Sequence, residues 1–203
     1  MPGDASPTAA AAFLVLRAYL AERAAFSEAD FDYVRRAFLF RRLATGDYLQ
    51  RAGDVAQYAV FVATGCLRNY VIDAKGREHI IQFAPETWWL ADATSLRDRT
   101  PSLYFIDAIE DSSLMLIDGP THMDLVEHVA GYAAAFRTGL QKHAAAKDER
   151  IVSNLSATAE ERYLKFLETY PSIALRVPQT MLAAYLGMTP ETVSRIRKNL
   201  SRR

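Results

Sequence analysis

The sequence predicts an α+β fold, with an antiparallel β-roll or barrel between helical segments and a helix-turn-helix near residue 187. Three observations support this prediction. Short runs of β-type composition follow one another between residues 40 and 118, with a glycine or proline signal roughly every ten residues. Helical patterns flank these runs on both sides. Two short helical segments then follow each other across a sharp turn at Gly187.

The N-terminal segment predicts two helices. Residues 9–25 are rich in Ala and Leu, and a second helix is expected to begin at Ser27, with Asp30 close to the capping-box position. Phe26 and Phe31 are spaced for a hydrophobic staple around this cap. The apolar run is short, is interrupted by a charge and has no charged leader. We therefore expect neither a signal peptide nor a membrane span, and we expect a cytoplasmic protein.

The middle of the chain predicts strands followed by a long helix. The strand-like runs are YAVFVA, LRNYVID, HIIQFA, LYFIDAIE and SLMLID, and the DAKG turn at residues 73–76 predicts a hairpin. From Gly119 onward the pattern is helical. Val129, Ala133, Phe136 and Leu140 recur at steps of three and four, which predicts an apolar stripe on a helix over residues 125–155. This stripe fits either a dimer seam or packing within the chain. Thr158 opens a further helix with a capping box, and Pro171 ends it.

Charges are unevenly distributed, although 24 Lys and Arg balance 24 Asp and Glu. Residues 147–203 hold ten basic and six acidic residues, a formal net charge of +4, which leaves −4 on residues 1–146. A basic end on an acidic body is typical of a module that binds a polyanion. The single cysteine, Cys66, excludes a disulfide framework, a cysteine zinc site and an iron–sulfur cluster.

Residues 179–198, QTMLAAYLGMTPETVSRIRK, have the pattern of a helix-turn-helix. Gly187 stands at the turn, and Ala183, four residues earlier, leaves room for a steep helix crossing. Thr189 is expected to cap the second helix, with Pro190 at its first position. The residues expected to pack the pair are Leu182, Leu186, Met188, Val193 and Ile196. This set of positions predicts DNA binding.

The second of these helices is expected to have a buried side and a polar side. Glu191, Arg195 and Lys198 share the polar side. Glu can accept from cytosine N4 and Arg can contact guanine through two hydrogen bonds, so we predict that these three side chains read base edges. An ordinary surface ion pair between Glu191 and Arg195 is the alternative. The candidates for phosphate contacts are Thr180, Thr192, Ser194, Arg197, Arg202 and Arg203.

From about residue 10 to residue 203 the chain resembles the Crp/Fnr family of bacterial transcription regulators. TPETVSR is close to the family's recognition-helix signature, and TGDYLQRAGD, YAVFVATGCLRNYVIDAKGREHIIQF and the pair Trp88-Trp89 match its β-roll. The resemblance implies a cyclic-nucleotide-binding-like roll over residues 1–124, a dimerisation helix over 125–155 and a winged-type helix-turn-helix over 156–203.

The same resemblance implies roles for single residues of the second helix. Glu191 and Arg195 correspond to base-reading positions, and Gln179 and Thr192 to phosphate contacts. Pro190 replaces an Arg that often reads guanine in the family. We therefore expect one specific contact to be missing and the operator to differ.

The effector site departs from the family pattern. The family's phosphate cassette reads near F-G-E-L-A, with R-(S/T)-A roughly ten residues later, so that backbone N–H groups and an Arg hold the phosphate. Here the segment is WWLADATSLRDRTPSLYF, in which Ala91 stands for Gly, Asp92 for Glu and Ser102 for Arg. Arg97 and Arg99 are nearby, and with Asp92 and Ser102 they form the candidate effector pocket. A phosphate buried without its cation is costly, so we expect no cyclic nucleotide as a cofactor in the family's usual manner.

The expected function is that of a sequence-specific transcription regulator, a homodimer on a pseudo-palindromic operator with a divergent or absent effector site. Its expected partners are double-stranded DNA, a second copy of the chain and, as a further candidate, RNA polymerase. The alternative is a sensor that binds a cyclic nucleotide or another small molecule in the roll. Haem ligation by His79, His122, His128 or His143 also stays open. We expect no enzyme and no metal site, because no catalytic set and no His-x-His pattern occurs.

Overall fold

The strands lie together in the middle of the chain, between helical segments, as the hydrophobic pattern predicts. The computed structural model describes residues 8–201, except for the side chains of residues 142–147. The elements, in chain order, are α1 (Ala9–Ala21), α2 (Glu28–Ala37), β1 (Leu39–Leu43), β2 (Tyr48–Gln50), β3 (Ala59–Thr64), β4 (Leu67–Ile72), β5 (Glu78–Ala84), β6 (Trp89–Leu90), α3 (Ala93–Asp98), β7 (Phe105–Ala108), β8 (Ser112–Ile117), α4 (Gly119–His128), α5 (Ala130–Ser156), α6 (Ala159–Thr169), a 3₁₀ turn (Ile173–Leu175), α7 (Gln179–Leu186) and α8 (Pro190–Leu200).

The eight strands found among residues 8–201 form two four-stranded sheets, in the orders β1-β8-β3-β6 and β2-β7-β4-β5. The pairs β1–β8, β3–β8, β3–β6 and β2–β7 are all antiparallel. An apolar cluster built from both sheets contains Val60, Val62, Leu67, Leu114 and Ile106. The predicted antiparallel roll is therefore confirmed. The short strands β1, β2 and β6 were not among the predicted runs.

The N-terminal helices pack against the first sheet. Leu16 and Leu20 of α1 are buried in one cluster with Phe61 of β3 and Ile117 of β8. The predicted staple is present, since the rings of Phe26 and Phe31 stack at 4.8 Å, and Ser27 and Asp30 form the predicted capping box.

Helix α1 ends at Ala21, whereas the sequence predicted a helix over residues 9–25. Arg23 accompanies this early end. Its guanidinium lies over the ring of Tyr19, and its Nη1 donates to the Tyr19 carbonyl oxygen at 2.6 Å. The side chain thereby satisfies a carbonyl that a longer helix would have paired with a backbone N–H.

The predicted long helix is divided at Val129. Helix α4 ends at His128, Val129 is extended, and α5 runs from Ala130 to Ser156. The Val129 side chain is only 2% exposed and belongs to the same buried cluster as Leu125 and Tyr132. Burying Val129 in this cluster accompanies the change of backbone direction. The long helix therefore begins five residues after the predicted start.

The described chain divides into two compact units. One comprises the residues up to Asn69 together with Phe83–Leu140, and the other comprises Tyr70–Gln82 together with the residues from Gln141 on. The three-part division at residues 124 and 155 stays a prediction. Between residues 141 and 201 the described chain forms helices only, so a β-hairpin wing is not among these residues. The second unit also contains an aromatic cluster of Phe166, Tyr170 and Tyr185.

Candidate nucleic-acid interface

Helices α7 and α8 form the predicted helix-turn-helix. Gly187 has a φ of 64°, the left-handed conformation that ends α7, and its N–H donates to the Ala183 carbonyl oxygen. Thr189 caps α8, since its Oγ1 accepts from the Thr192 N–H at 3.3 Å, and Pro190 occupies the first turn. The turn, the cap and the proline are confirmed as the sequence predicted them.

One side of α8 is buried against its neighbours. Val193 is 0% exposed and Ile196 6%, and α8 contacts both α6 and α7. Leu182 and Leu186 of α7 are buried as well. This apolar packing fixes which side of α8 faces away from the domain.

The opposite side of α8 lines a shallow groove. The residues that line it are Gln179, Pro190, Glu191, Ser194, Arg195 and Lys198. All three predicted base-reading residues therefore lie in one groove. Arg197 is exposed but does not line this groove. The helical repeat places it between the side of α8 that lines the groove and the side that is buried.

The candidates for phosphate contacts that the structure describes differ in their position relative to this groove. Thr180 is exposed at the start of α7, and Ser194 lies inside the groove. Gln179 Nε2 donates to the Pro190 carbonyl oxygen, so this amide links the starts of α7 and α8. Thr192 Oγ1 lies 3.2 Å from Thr189 Oγ1. Arg202 and Arg203 lie outside the described residues.

The carboxylate of Glu191 is stabilised in its charged form. Its own backbone N–H and the Thr189 hydroxyl favour the charged form, and both lower the pKa of Glu191. A carboxylate in the first turn of a helix is also favoured by the helix dipole. Glu191 is therefore ionised at neutral pH and acts as a hydrogen-bond acceptor only. That is the state in which a carboxylate accepts from cytosine N4.

Two of the four candidate effector residues meet in a buried network. Ser102 Oγ donates to Asp92 Oδ2 at 2.7 Å and accepts from Gln50 Nε2 at 2.7 Å. The other oxygen of Asp92 accepts from the Ser95 N–H at 3.0 Å and so caps α3. The Asp92 carboxylate therefore already accepts a hydrogen bond from a backbone N–H group at the start of α3, the kind of group that holds the phosphate in the family's cassette. Gln50 was not predicted, because it is 52 residues from Ser102 in the chain.

The other two candidate effector residues lie outside this network. Arg97 is exposed, and its guanidinium pairs with the neighbouring Asp98 at 2.7 and 2.9 Å. That ion pair raises the pKa of Arg97. Arg99 is exposed and ends α3 in a left-handed conformation. The structure therefore does not bring either arginine to Asp92 and Ser102.

The predicted dimer residues have different environments. Phe136 and Leu140 of α5 are 43% and 57% exposed. Ala133 is half-buried, and Val129 is buried in the first unit and belongs to neither α4 nor α5. Further along α5, Ile151 and Leu155 are again exposed apolar residues spaced by four. Exposed apolar residues at this spacing are typical of a helix that packs against a partner.

The described histidines have protein partners. His79 Nε2 lies 2.9 Å from Asp73, His122 Nδ1 lies 2.9 Å from the Tyr132 hydroxyl, and His128 Nδ1 contacts Asp124. The side chain of His143 lies outside the described residues. Among the side chains that the structure describes, no three His, Cys, Asp or Glu residues are grouped as metal ligands. No helix within residues 8–201 has both the length and the apolar character needed to cross a bilayer.

Two family models match the chain in succession. Residues 40–128 match the cyclic nucleotide-binding domain, and residues 149–203 match the Crp-like helix-turn-helix domain. No curated protein sequence matches.

Solved structures share the fold at low sequence identity. FixK2 from Bradyrhizobium japonicum is 21% identical with a TM-score of 0.70, over 81% of this chain and 85% of that one. The regulator CLP of Xanthomonas campestris, described as responsive to c-di-GMP, is 15% identical with a TM-score of 0.69, over 87% and 92%. The Thermus thermophilus catabolite activator protein is 21% identical with a TM-score of 0.55, over 87% and 84%.

Proposed function

The chain belongs to the Crp/Fnr family of DNA-binding transcription regulators, and we propose that it acts as a homodimer that reads a pseudo-palindromic operator through α8. The observation that carries this proposal is the groove that contains Glu191, Arg195 and Lys198. It combines an acceptor for cytosine with two cationic donors for guanine on the exposed side of a capped helix.

The dimer is proposed to form along α5. Phe136 and Leu140 expose apolar side chains, and removing them from water favours association. A two-fold dimer presents two copies of α8 to successive major grooves, which is why the operator should be pseudo-palindromic. RNA polymerase is proposed only as a further candidate partner of such a dimer.

The roll is proposed not to hold a cyclic nucleotide in the usual manner of the family. Asp92, Ser102 and Gln50 satisfy one another's hydrogen bonds, and Asp92 places a carboxylate at the cassette. A phosphate there would lack the cation of the family's cassette, because Ser102 replaces its Arg and the nearby Arg97 is paired with Asp98. The polar side chains of Asp92 and Ser102 in the cassette therefore form hydrogen bonds with each other and with Gln50.

A sensor of an uncharged small molecule is the second candidate function, and one observation favours it. Asn69 Oδ1 is buried and has no hydrogen-bond partner among the described residues. Strand alternation puts Asn69 on the same side of β4 as Leu67, which packs in the roll cluster. A ligand with a donor group would satisfy this oxygen. Native mass spectrometry of protein purified from cells tests this candidate, since a retained molecule adds to the mass of the folded chain and is lost on denaturation.

In vitro selection tests the DNA-reading proposal. The purified full chain is used to enrich duplexes from a random library, and the complex with the selected duplex is then sized by sedimentation. We expect an inverted repeat to be enriched and two chains to bind each duplex. Enrichment without any common sequence would contradict the proposal, and one chain per duplex would contradict the dimer. A scrambled duplex of equal length is the control.

A further inference from the structure

Arg150 of α5 contacts two separate segments of the second unit through backbone carbonyl groups. Its Nη2 donates to the Ile80 oxygen at 2.8 Å and to the Tyr185 oxygen at 2.9 Å, and its Nη1 donates to the Ile81 oxygen. Ile80 and Ile81 belong to β5, on the hairpin at residues 70–82, and Tyr185 belongs to α7. One guanidinium therefore joins the hairpin to the helix-turn-helix.

The contact with α7 is at a position where a cation is favoured. Tyr185 lies in the last turn of α7, where carbonyl groups lack partners within the helix and the helix dipole is negative. The guanidinium also lies over the Tyr185 ring, 4.0 Å from its centroid. Tyr185 itself packs against Phe166 and Tyr170. Arg150 is thus anchored two residues before Gly187, the residue that sets the direction of α8.

We propose that Arg150 is a positioning residue for DNA reading. By tying the end of α7 to the backbone of β5, it holds α8 in the orientation that presents Arg195 to base edges. This inference rests on the proposed function, because it requires that α8 reads DNA. A dimer must hold its two reading helices about one turn of DNA, roughly 34 Å, apart. Losing the hydrogen bonds to β5 and to α7 together should therefore weaken sequence-specific binding. Binding driven by phosphate charge alone depends less on the orientation of α8 and should be less affected.

Three variants test this role. Arg150→Met removes the donors and keeps an apolar stem, and Arg150→Lys keeps the charge with a single ammonium group that cannot span three carbonyls. Arg35→Met is the matched control, since Arg35 is exposed on α2 and the variant loses the same charge. The probes are the duplex selected by the wild-type chain, the same duplex with two base pairs inserted at its centre, and a scrambled duplex. Thermal unfolding and hydrogen exchange of residues 78–84 and 182–188 are measured in parallel.

We expect Arg150→Met to bind the selected duplex about tenfold or more weakly, as the loss of hydrogen bonds from a charged group implies. Its affinity for the scrambled duplex should change less than about twofold by the same reasoning, since phosphate contacts remain. The ratio of its affinities for the selected and the lengthened duplex should become smaller. Hydrogen exchange should become faster in residues 78–84 and 182–188. Arg150→Lys should fall between Arg150→Met and wild type, and Arg35→Met should match wild type.

Two results would contradict the role of Arg150 without contradicting the proposed function. One is wild-type affinity and spacing preference in Arg150→Met. The other is an equal loss on all three duplexes with a lowered melting temperature, which would show a role in stability only. If the wild-type chain selects no common sequence, the proposed function fails and this inference fails with it.

Discussion

Two arginines on α8 differ in their surroundings although they are only two positions apart, and this difference predicts two kinds of DNA-binding defect. Arg195 lines the groove with Glu191 and Lys198, whereas Arg197 is exposed outside it. Replacing each with Ala removes the same charge and the same stem from neighbouring positions. Any general effect on helix stability or net charge is therefore shared by the two variants.

The expected magnitudes follow from the type of interaction. A bidentate hydrogen bond from Arg to guanine contributes about 1–3 kcal/mol of discrimination. A dimer makes this interaction twice, so Arg195→Ala should cost about 2–6 kcal/mol on an operator, or roughly 30-fold to 10⁴-fold in affinity. If Arg197 binds phosphate, Arg197→Ala should weaken all duplexes similarly and reduce the salt slope by about one unit for each phosphate that is no longer neutralised.

Fluorescence anisotropy against the selected duplex and a scrambled duplex, over a salt series, distinguishes these outcomes. Arg195→Ala should reduce the affinity ratio of the two duplexes, and a repeat selection should show relaxed preference at one position of each half-site. Arg197→Ala should leave the ratio unchanged. If Arg195→Ala instead weakens both duplexes equally, the assignment of Arg195 to base reading is wrong.

Three further predictions concern the first unit. Phe136→Glu with Leu140→Glu should convert a dimer to a monomer in sedimentation at micromolar concentration, whereas an unchanged dimer would place the interface elsewhere. Millimolar cAMP or cGMP should leave the melting temperature of the wild-type chain unchanged, since a ligand at 100 times its Kd would add about 2.7 kcal/mol of stability. Burial lowers the pKa of His122, so the unfolded chain binds this proton more readily and stability should fall as pH drops below about 6.5. His122→Gln should lessen that fall in denaturant titrations at pH 7.5 and 5.5, and an equal fall in both proteins would contradict the assignment.

The structural features that were predicted correctly depend on residues that are close together in the chain. The capping boxes at Ser27 and Thr158 satisfy backbone groups within three residues, so the residue types alone reveal them. The same holds for Gly187, because few other residues adopt its backbone conformation. Hydrophobic alternation did not reveal the short strands β2 and β6, because two or three residues are too few to establish an alternating pattern.

The sequence by itself determined the helix-turn-helix, since its turn, its cap and its two helix faces are all consequences of spacing within about twenty residues. Only the tertiary structure decided which polar groups pair across long separations. Arg68 and Asp107 form a buried ion pair 39 residues apart, Gln50 reaches Ser102, and Arg150 reaches β5. Such pairs depend on how strands and helices meet in space, and hydrophobic periodicity contains no information about which side chains will then face each other.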